Sequence, residues 1–290
     1  MTRGEDGGVV TLRQLPRELL GDPEFLRRFR VEAPIVAHLD QTYIVRTRAH
    51  VEDAFGVALV MDYVDGAWLR WLLPGATAGH PDAALVVLRD ILLGLEAAHR
   101  EGILHRDLRP EKIVVDRHGI ARIAELGVVA RTPGTRWMPG TPEYMAPELW
   151  AGDEATIATD VYAATVVLVE CLLGEPPFRG GAVTVREQHL NAPLPVHDLP
   201  REAAELVLVG MARSPELRYP SAWDFAQEVE DAGRALAGVH WERRGRRQLA
   251  AAVDAALAPP PTEEAGAPRG LIGRARFRRR TRAQPGSSER

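Results

Sequence analysis

Two residue types are almost missing from this chain, and each shortage excludes something. Its one cysteine, Cys171, lies inside an apolar run, so neither a disulfide framework nor a thiolate metal site can be built, and the residue reads as a small buried hydrophobe. Of its 36 lysine and arginine residues a single one, Lys112, is lysine. Any chemistry that needs a compact ammonium therefore falls to that position. Long apolar runs are missing too. The longest, Val161 to Leu173, contains Glu170 and falls short of the roughly 18 to 20 residues that span a bilayer, which predicts a core helix. Met1 to Gly8 carries charge and no apolar stretch, so it does not read as a secretory signal, and a cytoplasmic protein is expected. No internal repeat is visible.

What is present suffices for a folded body. With 290 residues, 46% hydrophobic and 26% charged, the chain can bury a sizeable core in one two-lobed domain or two small ones. Its net charge of −4 is uneven: from Arg269 onward eight arginines face Glu289 alone, so this tail carries +7 and the rest −11.

The first third mixes a β-like VVTLRQL (Val9 to Leu15), an amphipathic PEFLRRFRVEA (Pro23 to Ala33), and strand candidates YIVRT and GVALVMDYV. After the turn-like PGATAGHP the apolar spacing becomes helical in AALVVLRDILLGLEAAH, TDVYAATVVLVECLL and EAAELVLVGMA. Two short β-like pieces, KIVV and ARIAEL, flank a turn at Arg117 to Gly119. From Gly233 one helical stretch is expected to about Ala258, followed by the linker PPPTEEAGAP and the Arg-rich tail, whose composition is that of a disordered segment.

Five segments stand in order: HRDLRPEKIVV (His105 to Val115), AELG (Ala124 to Gly127), GTPEYMAPE (Gly140 to Glu148), TDVYAATVVLVECLLGEPPF and RYPSAWDF. Together they resemble the bacterial, actinobacterial-type Ser/Thr protein kinases: catalytic loop, metal-binding loop, end of the activation segment, central helix and late arginine. The resemblance implies an α+β fold with a shortened N-terminal β lobe (1–75), a mainly helical C-terminal lobe (76–235), a helical extension (236–258) and the linker with its basic tail (259–290).

It also implies roles. Asp107 stands where the catalytic base accepts the substrate hydroxyl proton, and Arg109 where the family has a lysine near the γ-phosphate. Asp160 looks like the aspartate that braces the catalytic loop, and Glu148 with Arg218 like a buried ion pair that ties down the activation segment. Arg106 and Thr141 belong to the same framework. Thr132 and Thr135 fall in the activation segment as candidate phosphorylation sites with Arg106 as the phosphate's partner, although solvated loop threonines are the plainer reading. Met61 and Tyr63, in VMDY, look like the hinge that faces adenine; a buried strand end is equally compatible. The histidines at 38, 50, 80, 99, 118, 189, 197 and 240 show no metal-ligand spacing and read as surface or packing residues.

Against the family pattern stand several departures. Lys112 replaces the catalytic-loop asparagine that ligates the second Mg²⁺, and an ammonium has no lone pair to give a cation. Glu125 replaces the aspartate of the metal loop, and a misplacement of about 1 Å can cost on the order of a hundredfold in rate. Arg13 occupies the position of the phosphate-holding lysine, with Glu32 as its helical ion-pair partner; a planar guanidinium does not replace an ammonium in a fitted pocket. Only twelve residues precede Arg13, too few for a glycine-rich hairpin, and Gly7 and Gly8 read as a flexible terminus. Pro34 predicts a break in the first helix, or else a helix that starts late with Pro34 in its first turn.

The expected function is a pseudokinase: a kinase-like domain acting as a regulatory or protein-interaction platform, with weak ATP binding that depends little on Mg²⁺ and with a protein partner. The alternative is an active Ser/Thr protein kinase that tolerates Arg13, Lys112 and Glu125. A minor alternative is a nucleic-acid-associated protein using the basic tail, which otherwise contacts another anionic partner or the chain's own acidic body.

Overall fold

A computed structural model describes residues 2–3, 9–15, 20–21, 23–53, 56–73, 77–127 and 141–258. The chain divides into a compact unit, Met1–Ala258, and a second unit, Pro259–Arg290. The second unit lies outside the described residues, and with it the linker and basic tail. Also outside them are Gly7, Gly8, Thr132, Thr135 and the lobe boundary near residue 75.

Strands β1 (Thr2–Arg3) and β2 (Val9–Gln14), helix α1 (Pro23–His38), and strands β3 (Thr47–Asp53) and β4 (Gly56–Asp62) make the first lobe. The strands form an antiparallel sheet in the order β1-β2-β4-β3. The period-two geometry of β4 buries Val57, Leu59 and Met61 on one face. Phe25, Phe29 and Ala33 recur along one side of α1 and bury against that face, while Val36 of the same helix joins the larger core.

The break expected at Pro34 does not occur, nor does a late start: α1 runs through Pro34 to His38. Proline removes one backbone donor, but buried residues on both sides of it, Ala33 and Val36, hold the two halves of the helix on one core-facing side. The strand expected at YIVRT is displaced as well. Ile44 makes an isolated bridge to Ile123, and regular pairing begins only at Thr47.

The second lobe begins at β5 (Gly66–Trp68) and the short α2 (Leu69–Leu72), then α3 (Pro81–Arg100), β6 (Ile113–Asp116) and β7 (Ala121–Ile123). It continues with α4 (Pro147–Ala151), α5 (Ile157–Leu173), α6 (Ala182–Asn191), α7 (Arg201–Gly210), α8 (Ala222–Ala237) and α9 (Trp241–Leu257). Helix α5, apolar on all sides, is buried on all sides, as such a helix must be. Cys171 lies within it, fully buried.

The helical stretch expected from Gly233 to Ala258 is two helices. Gly238, with φ 74, turns the chain between α8 and α9 in the left-handed region that glycine enters without steric cost. Helix α9 then packs on α3, β5 and β6. Arg246 of α9 grips the fully buried Asp90 of α3 through two bonds of 2.9 Å, while Trp241, Leu249 and Val253 are buried beneath it. Among the described residues no helix is long and apolar enough to cross a membrane.

Candidate functional site

The site is built on a hairpin. Strands β6 and β7 pair Ile113 with Ile123 and Val115 with Ala121. Asp116 closes the turn by accepting from the N–H groups of His118 (2.8 Å) and Ile120 (3.0 Å). One step beyond the ladder, Ala124 N–H donates to the Lys112 carbonyl at 2.8 Å, so Lys112 and Glu125 are neighbours by register.

Their side chains meet. The Lys112 ammonium donates to Glu125 Oε2, and Arg13 Nε from β2 lies 3.0 Å from Glu125 Oε1. Lys112 and Glu125 are nearly buried, with side chains 6% and 7% exposed, whereas Arg13 is half exposed. One carboxylate is thus shared by two cations. The pairing of Arg13 with Glu32 implied by the family resemblance is not formed among the described residues. Glu32 of α1 instead accepts two bonds of 2.9 Å from the guanidinium of Arg106.

Local backbone explains the exchange. Arg106 (φ 67) and Glu125 (φ 61) are the two non-glycine residues with left-handed backbone among those described, a conformation costing about 1 to 3 kcal/mol that surrounding contacts must hold. At Gly127 the left-handed backbone (φ 70) favours glycine, and a Cβ there would lie 2.7 Å from Glu32 Oε2 and push that carboxylate aside.

Asp160, at the start of α5, accepts from the N–H groups of His105 and Arg106 and from His99 Nε2, all at 2.8 Å. Burial pushes its carboxyl up, but these bonds outweigh burial and hold it below the usual carboxylate range. Burial likewise pushes the His105 imidazole down. Through these bonds Asp160 fixes the backbone on which Asp107 sits. Asp107 Oδ1 accepts from Thr141 Oγ1 at 3.1 Å, and Arg109 Nε stands 3.5 Å from Oδ2. His99, read from sequence as surface or packing, is a buried partner of this brace.

Glu148 and Arg218 form a two-pronged pair, both bonds 2.7 Å. Burial pushes the Glu148 carboxyl up, yet the hydrogen bonds and charge of Arg218 hold it below its ordinary value. A further network escaped sequence reading: Arg70 of α2 joins Glu111, the fully buried Glu170 and the Tyr144 hydroxyl. No motif carries that signal, because its members lie 41, 100 and 74 residues from Arg70.

Met61 and Tyr63 reach a different place from the charges. They line a cavity of about 290 Å³ together with Val45, Val114 and Ala124, whereas Arg13, Lys112 and Glu125 do not line it. The residues proposed for nucleotide thus divide into an apolar cavity, an ion triad just beyond Ala124, and the separate Glu32–Arg106 pair.

A family model described as the protein kinase domain matches residues 3–220. The serine/threonine-protein kinase PknL of Mycobacterium tuberculosis is 35% identical over 239 residues, covering 79% of this chain and 60% of PknL. PkaB of Streptomyces coelicolor is 34% identical over 227 residues, covering 73% of this chain and 54% of PkaB. The chain therefore spans between about half and two thirds of the length of these relatives. The crystal structure of the M. tuberculosis PknI kinase domain superposes with a TM-score of 0.64 at 24% identity, covering 77% of this chain and 84% of that one, a likeness of fold.

Proposed function

The chain belongs to the protein kinase family, and we propose that within it this protein is a pseudokinase, a regulatory or protein-interaction platform with weak or no transfer of the ATP γ-phosphate. The observation that carries this reading is the capture of Glu125 between Lys112 and Arg13. In that arrangement both oxygens of the carboxylate offered for a metal are already paired, and the nearly buried Lys112 is committed to it, while the half-exposed Arg13 faces it through Nε.

Mg²⁺ does not fit these residues. Lys112 has no lone pair, both Glu125 oxygens face cations, and among the described residues no three His, Cys, Asp or Glu side chains gather as ligands. Freeing Glu125 would leave Lys112, 5% exposed, without its counter-charge. Breaking such a buried pair costs on the order of 3 to 5 kcal/mol, or about two to four powers of ten in affinity. ATP is accordingly expected to bind weakly and with little dependence on Mg²⁺.

Labelled ATP, Mg²⁺ or Mn²⁺ and a generic basic protein substrate test the reading, with Asp107→Asn as control. The expected transfer does not exceed the control. A turnover in the usual kinase range of about 1 to 100 per second, abolished in Asp107→Asn, overturns it.

A second reading, an active Ser/Thr protein kinase, has its own support. Asp107 is oriented by Thr141 and Arg109 and braced through Asp160, an arrangement suited to accepting a hydroxyl proton. The same assay separates the two.

A further inference from the structure

We infer that Arg70 is a positioning residue for the Asp107 side chain, and that it acts by filling, from within the chain, a guanidinium cup made by Glu111, Glu170 and the Tyr144 hydroxyl. Glu125, Lys112 and Arg13 take no part in the cup, so it serves Asp107 whether or not phosphate is transferred.

The cup has three walls. Arg70 Nε donates to Glu111 Oε1 at 2.6 Å, Nη1 donates to Glu170 Oε1, and Nη2 donates to the Tyr144 hydroxyl at 2.6 Å. Tyr144 in turn donates to Glu170 Oε2 at 2.6 Å. Burial and the charge of Glu170 push the Tyr144 hydroxyl up, so it keeps its proton and serves as acceptor and donor at once. All three nitrogens of one planar fork are engaged, a pattern that an ammonium on a flexible stem cannot reproduce. Glu170 is fully buried, and among the described residues Arg70 is the cation paired with it.

From the cup the contacts close in a ring around Asp107. Glu111 Oε2 lies 3.0 Å from Arg109 Nη1, and Arg109 Nε lies 3.5 Å from Asp107 Oδ2. On the other side the Tyr144 N–H donates to the Thr141 carbonyl at 2.9 Å, and Thr141 Oγ1 donates to Asp107 Oδ1 at 3.1 Å. Each oxygen of Asp107 therefore has its own path to Arg70. One path runs through residues 107–111 and the other through 141–144, and Arg70 is the member that belongs to neither segment. Asp160 holds the backbone at His105 and Arg106. The ring holds the side chain that follows them.

Arg70 is a fixed post. Leu69 and Leu72, buried on either side of it, pin the single turn of α2. The side chains of Arg70 and Glu111 keep 32% and 37% of their surface exposed, so a small cation from solvent can enter the cup once Arg70 is cut back.

Methylguanidinium is the probe. Arg70→Ala should lower Tm by about 5 to 10 °C and bind methylguanidinium in a calorimetric titration, whereas the wild type, its cup filled, should not bind it. At about ten times its dissociation constant the cation should restore about 3 to 5 °C of that Tm. Position is read by NMR from the Asp107 carboxyl carbon, assigned with Asp107→Asn. Its resonance should move in Arg70→Ala and return toward the wild-type value when methylguanidinium is added. Arg70→Lys keeps the charge without the fork and should leave the resonance displaced. Glu111→Gln weakens one half-exposed wall and should displace it as well, although Glu111 does not touch Asp107. No methylguanidinium binding by Arg70→Ala, an Asp107 resonance unmoved in folded Arg70→Ala or Glu111→Gln, or wild-type behaviour of Arg70→Lys each overturn the inference. Should Arg70→Ala fail to fold, the resonances of Arg70→Lys and Glu111→Gln decide the matter. None of these readouts uses nucleotide.

Discussion

Glu125 and Glu148 are both nearly buried carboxylates held by cations, with 7% and 8% of their surface exposed, and they are held in opposite ways. Glu148 gives both oxygens to one guanidinium. The other N–H groups of Arg218 are spent on the carbonyls of Ala158, Ala212 and Arg213, and Thr159 donates to Glu148 as well. Every part of that cluster belongs to the second lobe, and its buried polar groups find partners. Glu125 divides its oxygens between Lys112 of the second lobe and the half-exposed Arg13 of the first. The closed cluster is a weld inside one lobe. The divided one is a bridge between the lobes.

The largest effect should come from cutting the weld. Arg218→Ala leaves Glu148 buried beside Thr159 alone and is expected to destabilise the fold by about 3 to 5 kcal/mol, measured by urea unfolding. The bridge should yield less. Lys112→Ala leaves Glu125 paired to Arg13, with an expected loss of about 1 to 3 kcal/mol in the same experiment. A loss equal to that of Arg218→Ala would erase the distinction between the two clusters.

Acid should give the smallest of these effects, read as a slope. Glu148 titrates below its ordinary value of 4.5 in the fold. Its contribution is thus fully present above that pH and is lost as pH falls through the lower folded value. The urea midpoint of the wild type should fall below pH 4.5, and in Glu148→Gln the fall should be shallower. Asp160, Asp116 and Glu111, which burial pushes up but hydrogen bonds hold lower still, and Glu52, held low by its hydrogen bond from Arg30, contribute to the slope that remains. An identical slope in both proteins would place the acid sensitivity elsewhere.

Legibility in the sequence followed distance along the chain. The buried central helix could be read from the apolar run Val161 to Val169, broken only by Thr165, and β4 from its short valine-rich apolar run. The meeting of Lys112 with Glu125 is contained in the hairpin register, although reading the two as isolated replacements of metal ligands missed it. Arg106 and Glu32, 74 residues apart, could not be matched by pattern. Nor could Arg246 and Asp90, 156 residues apart, and without that pair a basic helix gives no hint that it docks. At Pro34 packing of Ala33 and Val36 on either side outweighs the local backbone cost, which sequence alone does not show.

The sequence by itself determined which atoms are available. A single lysine stands at 112, and its ammonium has three donors and no lone pair to give a metal. Only the tertiary structure decided where the charges go, Glu125 to Lys112 and Arg13 and Glu32 to Arg106, and that Leu257 lines the cavity with Met61 and Tyr63. The reason is that coordination capacity belongs to a side chain's chemistry, whereas the strength of an ion pair depends on separation and burial, and both are set by chain segments that meet only when the fold is complete.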